Sequence, residues 1–300
     1  MSRVDLPAGL TSRPLRLDEA RAVFEVMAAQ EAHDLGEVMI EEADIVGDWG
    51  RPSFDIATST VGIFDGDRLV AYGEVGPNER GDAAVHPGYR GRGIGTAVAR
   101  WMQETARARG NPKIGMPVPE GSPGDALLTA LGYYVRWTSW GLELPAGATV
   151  PARPLPDGYT VRAADPSEYQ QCWTVAEDAF LEWSEREREP MDDWLAEILG
   201  RPGFEPWNLR VVVDPAGAVV AVAWVQLGVD SAFIARLATA ASERRRGLAQ
   251  ALLVDSFSVA REHGATRSEL STDSRTGALG LYEKVGMRVT STWLHRAVDL

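Results

Sequence analysis

Cysteine is almost absent from the sequence, which contains only Cys172 among its 300 residues. An intrachain disulfide is therefore excluded, and a reducing compartment is expected. Cys172 lies in a helical pattern without a basic neighbour, so we predict a small core residue and not a catalytic thiol. The four histidines are scattered without the spacing of metal ligands, and no metal site is predicted.

Long apolar runs and an excess of basic charge are also missing. No hydrophobic segment reaches membrane-spanning length and the N-terminal residues do not resemble a signal peptide, so we expect a cytoplasmic protein with no membrane partner. The 43 acidic residues outnumber the 30 Lys and Arg, which gives a net charge of −13. A nucleic-acid partner, which requires a basic face, is therefore not expected.

The sequence does contain an internal repeat. The segment YRGRGIG at 89–95 is matched by ERRRGLA at 243–249, and Gly132 is matched by Gly286, each with an offset of 154 residues. Upstream, GRPSFD at 50–55 recurs as GRPGFE at 200–205 with an offset of 150. These matches predict a duplicated domain, with a first half at 1–145, a proline- and glycine-rich linker at 146–158 and a second half at 159–300.

The predicted elements follow the same order in both halves. Two helical patterns precede a β-hairpin, whose turn is Asp-Gly-Asp at 65–67 in one half and Asp-Pro-Ala-Gly at 214–217 in the other. A short strand, an arginine- and glycine-rich loop, a long helix ending at Gly110 or Gly264, and another strand follow. We therefore predict an α/β fold with a mixed sheet, present twice in tandem.

The arginine- and glycine-rich loops indicate anion binding at a helix N-terminus, where amides lack helical partners and glycine allows close approach. A dinucleotide site requires G-x-G-x-x-G and an acidic residue about 20 residues later, whereas the sequence has G-x-G-x-G at 91–95. A Walker loop requires Gly-Lys-Ser/Thr, which the loops lack. A solvated glycine turn remains the plain alternative, and two copies in register disfavour it.

The pattern V-x-P-x-x-R-G-x-G-x-G at 85–95 resembles the acyl-CoA diphosphate loop of the GNAT superfamily of N-acyltransferases. The second copy at 239–249 is a looser match, since Ala241 replaces the proline. GALGLYEKVGMRV at 277–289 resembles the A-x-x-L-Y-x-x-x-G-F/M segment of the same family. The resemblance covers both halves and implies an acetyl-CoA-dependent N-acetyltransferase built from two such domains.

The resemblance also implies which residues bind CoA. Backbone amides of both loops would hold the diphosphate, the preceding strand residues would pair with the pantetheine arm, and arginine side chains would add charge for the 3′-phosphate. The implied residues are Ala84, Val85, Arg90, Gly91, Arg92, Gly93, Ile94, Gly95 and Thr96 in the first half, and Leu237, Ala238, Thr239, Arg244, Arg245, Arg246, Gly247, Leu248, Ala249, Gln250 and Ser274 in the second.

The same resemblance suggests which half catalyses. In the family, a tyrosine four residues before the segment's glycine protonates the departing thiolate; this is Tyr282 in the second half, whereas Leu128 stands there in the first. We therefore expect the second half to be catalytic and the first to be a non-catalytic CoA binder. An ordinary helix aromatic is the alternative for Tyr282. Glu269 is the candidate general base, with Glu243 beside the loop as the other possibility.

The acceptor is predicted to be a small-molecule amine. The segment 179–195 combines tryptophans and acidic residues that would suit a cationic acceptor. The favoured interpretation is nevertheless a solvated run of charges with tryptophans in the core. The residues concerned are Trp183, Trp194, Glu182, Glu185, Glu187 and Asp192. A protein N-acetyltransferase and a non-catalytic acyl-CoA sensor are the alternative functions. A monomer or homodimer is expected.

Overall fold

A computed structural model describes residues 6–77 and 79–300, and the chain divides into two compact units. Unit 1 combines the chain up to Thr138 with Trp293–Leu300, and unit 2 is Ser139–Thr292. These bounds differ from the contiguous halves 1–145 and 159–300, because the last strand of each half is divided between the units. Residues 139–143 pair inside unit 2, and residues 293–299 pair inside unit 1.

Unit 1 contains an antiparallel sheet of four strands in the order β1-β2-β3-β4, and a further strand, β5, that pairs with residues 293–299 of the last strand. The elements in this part of the chain are β1 (Leu10–Arg13), α1 (Ala20–Asp34), α2 (Glu42–Trp49), α3 (Ile56–Ser59), β2 (Thr60–Asp65), β3 (Arg68–Val75), β4 (Gly81–Val85), α4 (Ile94–Ala108), β5 (Lys113–Pro119), α5 (Pro123–Ala130) and β6 (Tyr134–Glu143).

Unit 2 contains strands in the order β7-β8-β9-β10-β11, followed by residues 139–143 of β6. Every neighbouring pair is antiparallel except β10 with β11. The remaining elements are β7 (Thr160–Ala163), α6 (Tyr169–Leu181), α7 (Met191–Leu199), β8 (Leu209–Val213), β9 (Val219–Leu227), β10 (Ser231–Thr239), α8 (Leu248–Glu262), β11 (Arg267–Asp273), α9 (Leu279–Lys284) and β12 (Arg288–Asp299).

Local sequence explains the turns and helix ends. Gly66 has a φ of 59° in the β2–β3 turn, and the Asp214 carboxylate accepts the amides of Ala216 and Ala218 in the β8–β9 turn. Gly110 and Gly264 end α4 and α8 with φ of 78° and 100°, a conformation that favours glycine. The predicted α/β fold with a mixed sheet is confirmed.

Helices cover both faces of the sheet in each unit. In unit 2, Cys172 of α6 and Trp194 of α7 pack on one face, while Leu253 and Phe257 of α8 pack on the other. Cys172 is fully buried, so the prediction of a small core residue is confirmed, and burial raises the pKa of its thiol to about 12. The longest helices have 15 residues, and no helix in the described chain is long and apolar enough to cross a membrane.

The two parallel strands at the centre of unit 2 separate before they reach the loop. β10 and β11 are paired up to Ile234 and Leu270, and β10 then has an irregularity before Arg236. In unit 1, the described residues around β4 and β5 show one isolated parallel bridge, from Arg80 just before β4 to Gly115 of β5. Each unit therefore has a gap between parallel strands that opens toward its arginine- and glycine-rich loop.

Candidate active site

The first loop (Arg90–Gly93) and the second loop (Arg244–Gly247) have the same backbone conformation. Gly91 and Gly93 have φ of 74° and 82°, and their counterparts Arg245 and Gly247 have φ of 65° and 85°. A left-handed conformation suits glycine, whereas a residue with a Cβ atom in it is strained by about 1–2 kcal/mol. The second loop thus keeps the conformation of the first even though arginine replaces one glycine.

Both loops end in the first turn of a helix. Gly93 and Gly247 are the N-caps of α4 and α8, and the first bonds in the helical pattern are those from Ala97 to Gly93 and from Ala251 to Gly247, both 3.0 Å. The amides of residues 94–96 and 248–250 precede these bonds and so have no carbonyl of an earlier turn to bind. With the positive end of the helix dipole, they suit an anion such as a diphosphate.

The first arginine of each loop is held by a carboxylate at the end of the unit's first helix. Arg90 makes two hydrogen bonds of 2.7 Å to Asp34, and Arg244 makes bonds of 2.6 and 2.7 Å to Glu182. Such paired contacts fix a guanidinium in direction as well as position. These two side chains therefore anchor the loops, and their contact with a 3′-phosphate stays a prediction.

Glu243, one candidate base, is also engaged within its own loop. Its Oε2 atom accepts hydrogen bonds from Arg246 at 2.6 Å and from the Tyr159 hydroxyl at 2.8 Å, and the Arg246 guanidinium lies 4.8 Å from the Tyr159 ring centre. The same carboxylate oxygen thus contacts both a cation and a hydroxyl. The geometry therefore gives Glu243 a structural contact.

Tyr282 lies on α9 with only 7% of its surface exposed. It shares a hydrophobic cluster with Ile234 and Leu270, the last paired residues before β10 and β11 separate. Burial raises the pKa of its phenol to about 12, so the hydroxyl keeps its proton at neutral pH. In unit 1 the corresponding Leu128 is 4% exposed and packs against Tyr133, and it carries no proton to donate.

Glu269, the other predicted catalytic group, precedes Leu270 on β11 and lies on the face of the sheet opposite Tyr282. It pairs in register with Phe233 of β10, and its neighbour Leu270 faces the cluster that contains Tyr282. Because successive strand residues point to opposite faces, Glu269 points away from Tyr282. Its Oε1 atom is 2.5 Å from Arg267 Nη2. The two predicted catalytic groups therefore lie on opposite faces of the sheet.

The segment 179–195 largely follows the plain interpretation. Trp194 is 1% exposed and belongs to the core, and Glu182 is bound to Arg244. The Trp183 ring lies 5.2 Å from Phe180 and already has the Arg275 guanidinium 4.7 Å from its centre. Trp194, Glu182 and Trp183 thus already have partners within unit 2.

A partly buried cation that the sequence did not predict lies on the face covered by α6 and α7. Arg236 of β10 is 2.6 Å from Glu197, 3.1 Å from Glu189 and 4.0 Å from Glu177, and Arg186 binds Glu177 at 2.6 Å. Burial alone would lower the pKa of Arg236, but the three carboxylates outweigh it and raise the pKa. The only indication in the sequence was a single arginine within the apolar strand FIARLAT.

Unit 1 has carboxylates on the corresponding face, and these were also missed. Asp82 stands at the repeat position of Arg236 and pairs across the strands with Glu74, which accepts the Trp49 indole N–H at 2.9 Å. Burial, followed by the nearby Asp82 charge, raises the pKa of Glu74 to about 7. The two units thus differ in charge on this face, which alternation and composition alone do not reveal.

Replacing Glu74 with Gln is expected to stabilise the protein at alkaline pH. Since the folded-state pKa is about 7 against an ordinary value of 4.5, the folded state holds a proton that the unfolded chain loses between these values. Wild-type stability should therefore fall as pH rises through this window. Glutamine keeps a side-chain oxygen that accepts the Trp49 indole N–H, and it has no proton to lose in this window. The free energy of unfolding of the variant should therefore exceed that of wild type by about 1–3 kcal/mol at pH 8.

Urea unfolding at pH 5 and pH 8 checks this result. The variant should gain stability relative to wild type at pH 8 and gain little at pH 5. Glu104→Gln, at an exposed position of α4, is the matched control and should show no such pH dependence. An equal effect of Glu74→Gln at both pH values would contradict a raised folded-state pKa.

Comparison with known proteins places this geometry in a family. The model of the acetyltransferase (GNAT) family matches residues 26–125 and again residues 168–287. The chain belongs to the GNAT acetyltransferase family. The two matched regions confirm the tandem arrangement that the internal repeat predicts, and the protein is an N-acetyltransferase.

Relatives and solved structures of this family resemble the chain over most of its length. A mycothiol acetyltransferase of Salinispora tropica is 31% identical over 222 residues, covering 68% of both chains, and one of Thermobispora bispora is 27% identical, covering 75% of this chain and 78% of the relative. A GCN5-related N-acetyltransferase from Sphaerobacter thermophilus has a TM-score of 0.76 at 24% identity, covering 98% of this chain and 96% of that chain. A tandem GNAT protein from the clavulanic acid biosynthesis pathway has a TM-score of 0.70 at 19% identity, covering 97% and 98%. These two solved structures are less than 25% identical to the chain, so they support its fold alone.

The residues of this acetyltransferase fit an acyl-CoA, the group that the family uses. Gly93 and Gly247 hold the backbone in a conformation that exposes the helix amides. At the end of β10, where a pantetheine arm would pair, the Thr239 hydroxyl oxygen is buried and has no hydrogen-bond partner within the described chain. A buried hydroxyl of this kind costs free energy unless a ligand satisfies it. The donor set therefore suits a diphosphate followed by an amide-containing arm.

Proposed function

We propose that this acetyltransferase transfers an acetyl group from acetyl-CoA to the primary amine of a small molecule, and that the second half carries the reaction. The observation that carries the proposal is Tyr282, a buried neutral phenol beside the point where β10 and β11 separate. Leu128 at the repeat position leaves the first half without this proton donor. The first half would bind CoA without catalysis.

The proposed roles of the residues follow from their positions on the second loop and on the two faces of the sheet. Amides of Gly247, Leu248 and Ala249 would hold the diphosphate, and backbone groups of Leu237 and Ala238 would pair with the arm. Acetyl-CoA, when bound, supplies an acyl thioester whose sulfur departs. The Tyr282 hydroxyl would give its proton to that sulfur from one face, while Glu269, directly or through water, would receive a proton from the amine on the other.

The nature of the acceptor is proposed from charge and from the relatives. The three glutamates around Arg236 exceed the two arginines of that cluster, which leaves an excess negative charge on the α6–α7 face. Such a face attracts a protonated amine. Several relatives are named mycothiol acetyltransferases, and this name supports a small-molecule acceptor. We also propose a cytoplasmic location, a monomer or homodimer, and no nucleic-acid partner.

Mass spectrometry of the purified protein for co-purified CoA, followed by CoA release from acetyl-CoA with a panel of amines, tests this function. Turnover with a small amine above the background hydrolysis rate is the expected result. CoA binding without release for any amine would favour an acyl-CoA sensor. Release only with peptide amines would favour a protein acetyltransferase, and absence of CoA binding would overturn the proposal.

A further inference from the structure

The two loops differ in what lies against their second glycine. A Cβ atom built on Gly93 meets none of the described residues within 4 Å, whereas one built on Gly247 would lie 2.4 Å from Arg153 Nε and 2.5 Å from Arg153 Cδ. Arg153 comes from the linker predicted at 146–158. The linker is held to the first turn of α8 because Gln250 Nε2 donates a 2.7 Å hydrogen bond to the Pro151 carbonyl. The linker thus places a guanidinium directly against the second loop.

No hydrogen bond or ion pair within the described chain holds the Arg153 guanidinium. Asp255 lines the same cavity, but Arg210 binds its carboxylate with bonds of 2.6 and 3.0 Å. Arg153 forms no ion pair with the described residues, and neither does Arg245 of the adjacent loop, while Arg244 and Arg246 each have a glutamate. Arg153 and Arg245 are both exposed, and two guanidiniums without a carboxylate partner at the positive end of α8 would attract an anion.

We propose that Arg153 binds a diphosphate oxygen of CoA beside Gly247, so that the linker supplies the second site with a contact that the first site lacks. The inference rests on the proposed function, in which the second loop holds CoA. It also accounts for the divergence of the loops. Arg245 replaces a glycine of the diphosphate motif in the second loop, and Arg153 would add a charged hydrogen bond to the ligand at that loop.

Isothermal titration of the full-length protein with CoA and with 3′-dephospho-CoA tests the role of Arg153. Arg153→Ala is expected to weaken both ligands about tenfold at one class of sites, since one charged hydrogen bond is lost. Arg153 is exposed, so the fold should survive, and circular dichroism checks this. Arg261→Ala removes the same charge from an exposed position in the last turn of α8 and should leave both affinities within about twofold.

The outcomes separate this inference from the function on which it rests. If the wild-type protein binds no CoA, the proposed function fails. If the wild type binds CoA and Arg153→Ala binds it equally well or more tightly, only the role of Arg153 fails, and tighter binding would identify the side chain as an obstruction. A loss for CoA without a loss for 3′-dephospho-CoA would place Arg153 at the 3′-phosphate and overturn the assignment to the diphosphate. The rise in melting temperature on adding CoA should be smaller for Arg153→Ala than for Arg261→Ala.

Discussion

Replacing Tyr282 with phenylalanine is expected to lower kcat at least about a hundredfold, because a positioned general acid contributes on that order or more. The Kd for CoA should change by no more than about twofold, since the phenol would act on the departing sulfur and not on the diphosphate. Because burial raises the pKa of Tyr282 to about 12, the hydroxyl stays protonated between pH 7 and 9. The loss in kcat should therefore be the same throughout that range.

Steady-state CoA release and CoA titration measure the two quantities separately. The matched control is Tyr133→Phe, which removes a buried hydroxyl that Gln103 binds at 3.2 Å in unit 1; its kcat should stay close to that of wild type. Unchanged turnover in Tyr282→Phe would show that another group protonates the thiolate. Loss of activity in Leu128→Ala alone would transfer catalysis to the first half.

The sequence could predict the features that local conformation determines. Gly93 and Gly247 require a positive φ and mark where a loop becomes a helix, so the repeat located both loops correctly. The hairpins and helix ends likewise depend on turn residues within a few positions of each other.

The features that escaped prediction depend on contacts between residues that are distant in sequence. Arg90 and Asp34 are 56 residues apart, and Arg236 and Glu197 are 39 apart. The packing of helices on the sheet determines which of the many carboxylates meets a given arginine. Hydrophobic periodicity in the sequence does not specify that packing. The position of Arg153 was also unpredictable, because it depends on where the linker contacts α8. The three prolines in PARPLP indicate a stiff spacer and do not show which element it lies against.

The division of the last strand between the units has a large expected consequence for stability. Deleting Trp293–Leu300 should unfold much of unit 1, although these residues are the last in the chain. Seven residues of β12 pair with β5 from Trp293–Pro119 to Asp299–Lys113, and Val298 and Leu300 pack against the cluster that contains Ile114. At about 1 kcal/mol per lost hydrogen bond, plus the exposed apolar surface, the cost approaches the 5–15 kcal/mol that stabilises a typical domain.

Amide hydrogen exchange, followed peptide by peptide, checks where the deletion acts. Protection should be lost in β5 and α4 and retained in β8, β9 and β10. Gly115→Val tests the same pairing by a single change, because a Cβ atom there would lie 2.5 Å from the Arg296 carbonyl oxygen, and it should weaken protection in the same peptides. Val289→Ala, at a 41% exposed position in the other part of β12, should have no such effect. Retained protection of β5 after the deletion would show that unit 1 folds without the strand, and the contiguous halves 1–145 and 159–300 would then be the independent folding units.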